Sequence, residues 1–309
     1  HPPAEPFCLW INTTFPHPPY AIPEPYFSMY DPRQMEEPVA KAEHPGEPAY
    51  KRLVREFTRS EEYSQEHVAK MRAAYCGMIT MMDDLFGDVV ETLHSEGLYD
   101  NTALFFTSDH GNYTADYGMP EKWFIGLEDA IMRVPLAVKL PARQQVAIND
   151  ELVQNIDLFA TILELAEIDP LEPHFSMSLV NLIKGDSGAG GREAVFADCG
   201  ANLRCEGPLD IERKYARDFP PESPFYPNPK ILSFQEGACR SLMIRTKRWK
   251  YIWRQQDVDE LYDLTEDPRE RINLLATPLD EEIAAVKSEL QTRMLRWFVE
   301  TGDVLPKNE

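Results

Sequence analysis

Positive charge is what this chain most lacks. It has 31 Lys and Arg against 52 Asp and Glu over 309 residues, a net charge of −21. A nucleic-acid partner needs a basic face to neutralise phosphates, so the net charge argues against that class of function. The deficit offers no general attraction for an anionic substrate either, so any anion site must be locally positive on an acidic surface. For most of the carboxylates the plain role is solubility. Cysteine is also scarce: Cys8, Cys76, Cys199, Cys205 and Cys239 are odd in number and form no disulfide framework. Cys8 and Cys76 sit in apolar runs and read as buried thiols. Cys199 and Cys205 are near enough in sequence to bridge across a loop or to stay reduced. No run of about 18 apolar residues is present, so no membrane span is expected, and no internal repeat is visible. Apolar residues make up 43% of the chain, ample for a core. The length suits one large domain, or one domain with a small appendage.

What the chain does have is a short apolar run, Ala103-Leu104-Phe105-Phe106-Thr107-Ser108, that stops at Asp109-His110-Gly111. The run reads as a strand buried on both faces. The acid and imidazole at its carboxyl end stand where an open α/β sheet presents its site. Adjacent strand residues point to opposite faces, so Asp109 and His110 can serve one ion only if the chain turns there. Gly111 permits such a turn. Taken alone, the pattern is equally a strand followed by a polar turn.

Downstream come Asp116-Tyr117-Gly118, Lys122 and Glu128-Asp129-Ala130-Ile131-Met132-Arg133-Val134-Pro135-Leu136. With the Asp-His-Gly strand end, this order resembles the sulfatase family of the alkaline phosphatase superfamily. Other segments extend the resemblance: Phe7–Asn12 with Pro16-His17-Pro18-Pro19-Tyr20, the helix-like Ala74–Asp84, Asn155–Ala166, and Leu261-Tyr262-Asp263-Leu264 followed by Asp267-Pro268, Glu270 and Asn273-Leu274. The family's Cys-x-Pro-Ser-Arg segment, whose cysteine becomes the formylglycine nucleophile, is absent. None of the five cysteines has Pro two residues on and Arg four residues on. The family's upstream Asp pair is absent as well. The resemblance therefore implies the carboxyl-terminal portion of a sulfatase, with the amino-terminal portion of the same protein as partner and formylglycine expected within it. Any signal segment would lie there too, so no compartment is assigned; the unpaired thiols lean towards a bacterial cytoplasm.

A first strand is expected over residues 6–12, running into a proline-rich loop from Pro16 to Pro48. The aromatics Tyr20, Tyr26, Phe27 and Tyr30 could wall a pocket or pin that loop to the body. Apolar residues at three- and four-residue steps predict a long helix over 61–97, closed by Gly97. A strand near 134–140 follows, then a helix near 154–167 with Ile156, Phe159, Ile162 and Leu163 on one face. This alternation predicts an α/β fold with a mostly parallel sheet flanked by helices, alkaline phosphatase-like. Residues 1–185 would be the carboxyl-terminal part of the catalytic domain, and 186–309 a small α+β subdomain. Short runs at 194–197, 241–245, 249–253 and 260–262 predict a small antiparallel sheet there, interrupted by the proline-rich segment 218–229. A terminal helix over about 280–299 would bury Ile283, Val286, Leu290, Met294 and Phe298.

The resemblance implies hydrolysis of a small-molecule or carbohydrate sulfate ester, using a divalent cation. Calcium is first choice, with magnesium or manganese possible. Asp109 would be a metal ligand, and His110 a ligand or its neighbour. Lys122 resembles the family lysine on a sulfate oxygen, where an ammonium meets growing negative charge; on its own it reads as one more surface lysine. His17 resembles the histidine on the sulfate or leaving oxygen, where imidazole can move a proton near neutrality. Glu128 and Arg133 read as structural, an ion pair or cap. A phosphonate or phosphate ester hydrolase of the same superfamily, and a non-catalytic fragment or pseudoenzyme, are the alternatives.

Overall fold

A computed structural model describes residues 5–41, 46–142, 147–186, 188–200 and 239–302. Helices are α1 (Ala49–Thr58), α2 (Gln65–Ser95), α3 (Asp129–Met132), α4 (Asp157–Leu165), α5 (Val180–Lys184) and α6 (Glu281–Thr301). Strands are β1 (Leu104–Thr107), β2 (Leu136–Lys139), β3 (Val195–Cys199), β4 (Ser241–Arg245), β5 (Trp249–Arg254) and β6 (Glu260–Asp263). The chain divides into two compact units. One comprises His1–Ala40, Thr58–Lys122 and Arg133–Ala147; the other comprises Lys41–Phe57, Trp123–Met132 and Ile148–Glu309. The expected segment 218–229 and Cys205 lie outside the described residues.

In the first unit the predicted long helix is α2. Ser64 caps it, its side chain accepting the His67 N–H at 3.1 Å. Gly97, at φ 69°, ends it: its N–H reaches His94 O and the Leu98 N–H reaches back to Leu93 O. That wrap-back needs a left-handed residue, which glycine supplies without strain. The proline-rich loop lies along α2 and its tyrosines pin it. Tyr26 donates to Asp84 at 2.8 Å, and Tyr30 shares a 2.7 Å bond with Thr80. Gly77 allows the close approach, because a Cβ there would stand 2.2 Å from Tyr26 O.

Strands β1 and β2 form a two-stranded sheet, paired antiparallel from Leu104↔Lys139 to Thr107↔Leu136. Among the described residues no two strands pair in parallel, in contrast to the sheet that the alternation predicts. Parallel neighbours need a long crossover, usually helical. Within the unit, residues 108–122 and 133–135 join the two strands without a helix longer than the three-residue turn Asp116–Gly118. The strand β1 is half-buried rather than buried on both faces. Residues 6–12 are not a strand either; Leu9 and Trp10 are 69% and 68% exposed, and Cys8 is exposed with them. An apolar, extended segment becomes a strand only when another strand lies beside it.

In the second unit β3-β4-β5-β6 form the small antiparallel sheet, each strand paired with the next in sequence. Alternation sends Leu242 and Ile244 to one face and Met243 to the other. On the first face they pack with Tyr251, Leu261 and the α6 residues Leu290 and Met294, while Phe196 stacks on Trp297 at 4.8 Å. On the second, Met243, Ile252, Tyr262 and Leu264 meet Leu127. Asp280 caps α6 by accepting the Ile283 N–H at 2.8 Å.

Helix α4 turns the opposite way from the expected one: Leu158 and Thr161 are buried and Phe159 is 50% exposed. The cause is Asp157, fully buried against the Arg192 guanidinium, which fixes the inward face. A ring of buried ions lies beside the sheet's second face. Lys51 meets Glu128 at 2.5 Å and Arg254 meets Glu260 at 2.7 Å. Lys250 meets Asp129 at 2.6 Å and Glu270 at 2.8 Å, and Arg245 meets Asp129 at 2.9 Å. Glu128 is thus structural, as its sequence context suggests, but its cation is Lys51 and it also accepts from Tyr50. Among the described residues no helix is long and apolar enough to cross a membrane.

Candidate active site

The turn that the sequence requires after β1 is present. Asp109 Oδ1 accepts the His110 N–H at 2.9 Å, and Ser108 Oγ donates to His110 O at 2.9 Å. These bonds fold the strand end back and bring both side chains to one side, His110 Nε2 lying 3.7 Å from Asp109 Oδ2. The tautomer follows from a further contact. His110 Nδ1 is 2.8 Å from Gly111 O, and a carbonyl oxygen only accepts, so Nδ1 carries the hydrogen. Nε2 is then a bare lone pair facing a carboxylate oxygen.

Two electron-pair donors aimed together, with the other ring nitrogen tied to a backbone carbonyl, is the arrangement of metal-ligating histidines. Partial burial alone would raise the Asp109 pKa. Hydrogen bonds from the His110 and Asp109 N–H groups and the Ser108 hydroxyl favour the charged form, and the carboxyl lies below its ordinary value. The Asp109 side chain is 84% exposed and that of His110 38%, so both are open to a ligand. The donors fit a divalent cation as part of a shell: such ions take six or more ligands. Among the described residues no group of three His, Cys, Asp or Glu side chains is arranged to hold one.

Lys122 and His17 are brought into contact although 105 positions separate them, Nζ against Nε2. His17 Nδ1 lies 2.6 Å from Pro18 O, so here too Nδ1 bears the hydrogen and Nε2 accepts, from the Lys122 ammonium. Glu121 Oε2 stands 3.6 Å from the same ammonium.

The loop that delivers Lys122 is tightly wound. Thr114, Ala115, Tyr117 and Gly118 all have positive φ. It is anchored through Asp116, which accepts from Val39 N at 2.8 Å and from Arg72 at 3.1 Å. Tyr20 joins the segments: its hydroxyl donates to Pro120 O at 2.6 Å and lies 3.2 Å from Asn112 Oδ1. Two pairs are therefore formed, Asp109 with His110 and His17 with Lys122, and the Tyr20 hydroxyl reaches the loops of both. All four carry a signal in the sequence; Asn112 carries none, and Tyr20 reads there only as a loop aromatic.

A family model described as Sulfatase matches residues 1–168. A multifunctional alkaline phosphatase superfamily protein, PehA, from Trinickia caryophylli is 26% identical over 318 residues, covering 97% of this chain and 57% of the relative. Choline-sulfatase from Rhizobium meliloti (strain 1021) is 25% identical over 303 residues, covering 96% of this chain and 52% of the relative. Among solved structures, the phosphonate monoester hydrolase of Agrobacterium radiobacter superposes with a TM-score of 0.70 at 25% identity. That match covers 93% of this chain and 55% of the other. It shows the alkaline phosphatase-like architecture that the sequence implies. The chain spans about half the length of the curated relatives it matches. Use of a divalent metal is general in this superfamily.

Proposed function

The chain belongs to the sulfatase family, and from that premise we propose that it carries the anion-binding part, and part of the metal shell, of a sulfuric ester hydrolase. The parent protein would hydrolyse a small-molecule or carbohydrate sulfate ester. The observation that carries this reading is the His17–Lys122 contact, which joins two motif residues 105 positions apart. Within it, the catalytic portion would lie in residues 1–185 and a small subdomain in 186–309; the family match ends at residue 168, whereas the compact units divide the chain differently, with Ile148–Glu309 in the second.

Lys122 would bind a sulfuryl oxygen and stabilise the charge that grows there, a contribution concentrated in the transition state. An arriving oxyanion draws the ammonium away from His17 and frees the imidazole Nε2. That atom can then take up a proton and hand it to the departing ester oxygen. Asp109 Oδ2 and His110 Nε2 would hold the divalent cation, calcium in first place with magnesium or manganese as alternatives. When bound, that ion supplies positive charge beside the sulfate.

Neither His17 nor Lys122 is a suitable nucleophile for sulfur. A formylglycine and further carboxylates would come from polypeptide equivalent to the other half of the relatives' length. The exposed apolar run Phe7, Leu9, Trp10 and Ile11 is suited to pack against it. Residues 1–309 alone are then expected to bind anions loosely and to turn over little or nothing. A second reading, hydrolysis of a phosphonate or phosphate ester, is favoured by the likeness to the Agrobacterium hydrolase. Parallel assays with an aryl sulfate and a phosphonate monoester, on this chain and on a longer protein containing it, separate the two.

A further inference from the structure

We propose that Tyr20 is a positioning residue for the anion site, holding together three segments through one hydroxyl. The inference rests on the site reading above and names what keeps that site assembled. Tyr20 follows His17 by three residues; its acceptors are Asn112, two residues after His110, and Pro120, two residues before Lys122. The hydroxyl therefore reaches the His17 loop, the Asp109–His110 turn and the Lys122 loop at once.

The direction of each bond is fixed. Pro120 O can only accept. Asn112 Oδ1 also takes the Thr114 N–H at 3.0 Å, so its carbonyl and not its amide faces inward. With its hydrogen shared between two acceptors, the Tyr20 hydroxyl has none to give a substrate, and it acts on the chemistry only by placing others. Burial, with the Glu121 carboxylate nearby, pushes its pKa up, so it remains a neutral donor throughout the working range. The ring is held from α2 by Tyr75, edge-on at 6.0 Å. Residues 6–25 and 119–128 contain no helix or strand, so the backbone alone does little to set the His17–Lys122 distance.

Tyr20→Phe on the full chain removes the hydroxyl and keeps the ring against Tyr75. The direct readout is the nuclear Overhauser cross-peak between the His17 ring and the Lys122 side chain, which involves no ligand. We expect that peak to weaken at least severalfold while the unfolding midpoint barely moves. Sulfate affinity, titrated with sodium sulfate at the His17 ring signal, should fall roughly tenfold, the scale of one or two lost hydrogen bonds. Of the two Tyr20 bonds Asn112→Ala removes only the longer one, together with the bond from Thr114 N–H, and should fall between Tyr20→Phe and wild type in both readouts. An unchanged cross-peak in Tyr20→Phe overturns the proposal. If Tyr20→Phe also unfolds the chain, Asn112→Ala decides: a weakened cross-peak in a folded protein supports the tether, and one equal to wild type overturns it. A wild-type chain whose His17 signal ignores sulfate counts against the site reading instead, and the cross-peak comparison still decides the role of Tyr20.

Discussion

Replacing Lys250 with Met should destabilise the second unit by about 3–5 kcal/mol at pH 8, the range for removing one partner of a buried ion pair. Lys250 is fully buried on β5, donating to Asp129 at 2.6 Å, Glu270 at 2.8 Å and Leu127 O at 3.0 Å. Methionine matches the lysine stem in length, so no cavity is made and the loss is electrostatic. Asp129 keeps a cation, because Arg245 reaches it through Nη2 at 2.9 Å and Nε at 3.1 Å. The cost therefore falls on Glu270, which is buried and already has one oxygen, Oε2, without a hydrogen-bond partner. Burial pushes that carboxyl up to about 7 even with Lys250 pulling it down. Once Lys250 is gone, Glu270 will take a proton more readily still. The penalty should shrink by about 2 kcal/mol on going from pH 8 to pH 5. Adding Glu270→Gln should recover a similar amount at pH 8, since a neutral amide costs far less to bury than an unpaired carboxylate. Urea unfolding of the wild type and both variants at the two pH values measures these differences. A loss below about 1 kcal/mol at pH 8, or a double variant no better than the single, would refute the reasoning.

The same cluster sets an acid limit. Burial alone would raise the Asp129 pKa, but Lys250 and Arg245 hold it down at about 2. A folded value below the unfolded one means stability present above about pH 4 and lost as pH falls through 2, about 2 kcal/mol in all by linkage. Glu270 has the opposite sign: its contribution declines as pH rises from about 4.5 through 7, so Glu270→Gln should flatten a stability profile over that window. Gly77→Ala should be destabilising by about 1–3 kcal/mol although alanine is the better helix former, because its Cβ would stand 2.2 Å from Tyr26 O. A Gly77→Ala chain as stable as wild type in thermal unfolding would show that the proline-rich loop does not rest on α2 there.

The turn at the end of β1 was legible because its signal is local. A turn at Asp109-His110-Gly111 follows from needing two adjacent strand residues on one side, and the structure has that turn. Gly97 closing α2 and the β4-β5-β6 hairpins are likewise short-range consequences of periodicity and turn chemistry. What was not legible depends on distant partners. Phe7–Asn12 has the composition of a strand, but pairing is decided by a neighbour that the segment does not encode. The inward face of α4 is set by Asp157 meeting Arg192, 35 positions away, and not by Phe159. Tyr20 looked like any loop aromatic because its acceptors lie 92 and 100 positions downstream.

The most direct test is turnover of an aryl sulfate by three proteins side by side: residues 1–309, a longer protein restoring the half that the relatives possess, and that longer protein with Lys122→Ala. The account predicts negligible turnover by the first and hydrolysis dependent on a divalent cation, with calcium tried first, by the second. In the third, kcat should fall by about a hundredfold or more, the scale of losing one preorganised charge at the reacting oxygens. Robust turnover by residues 1–309 alone, or full activity in the Lys122→Ala protein, would contradict it.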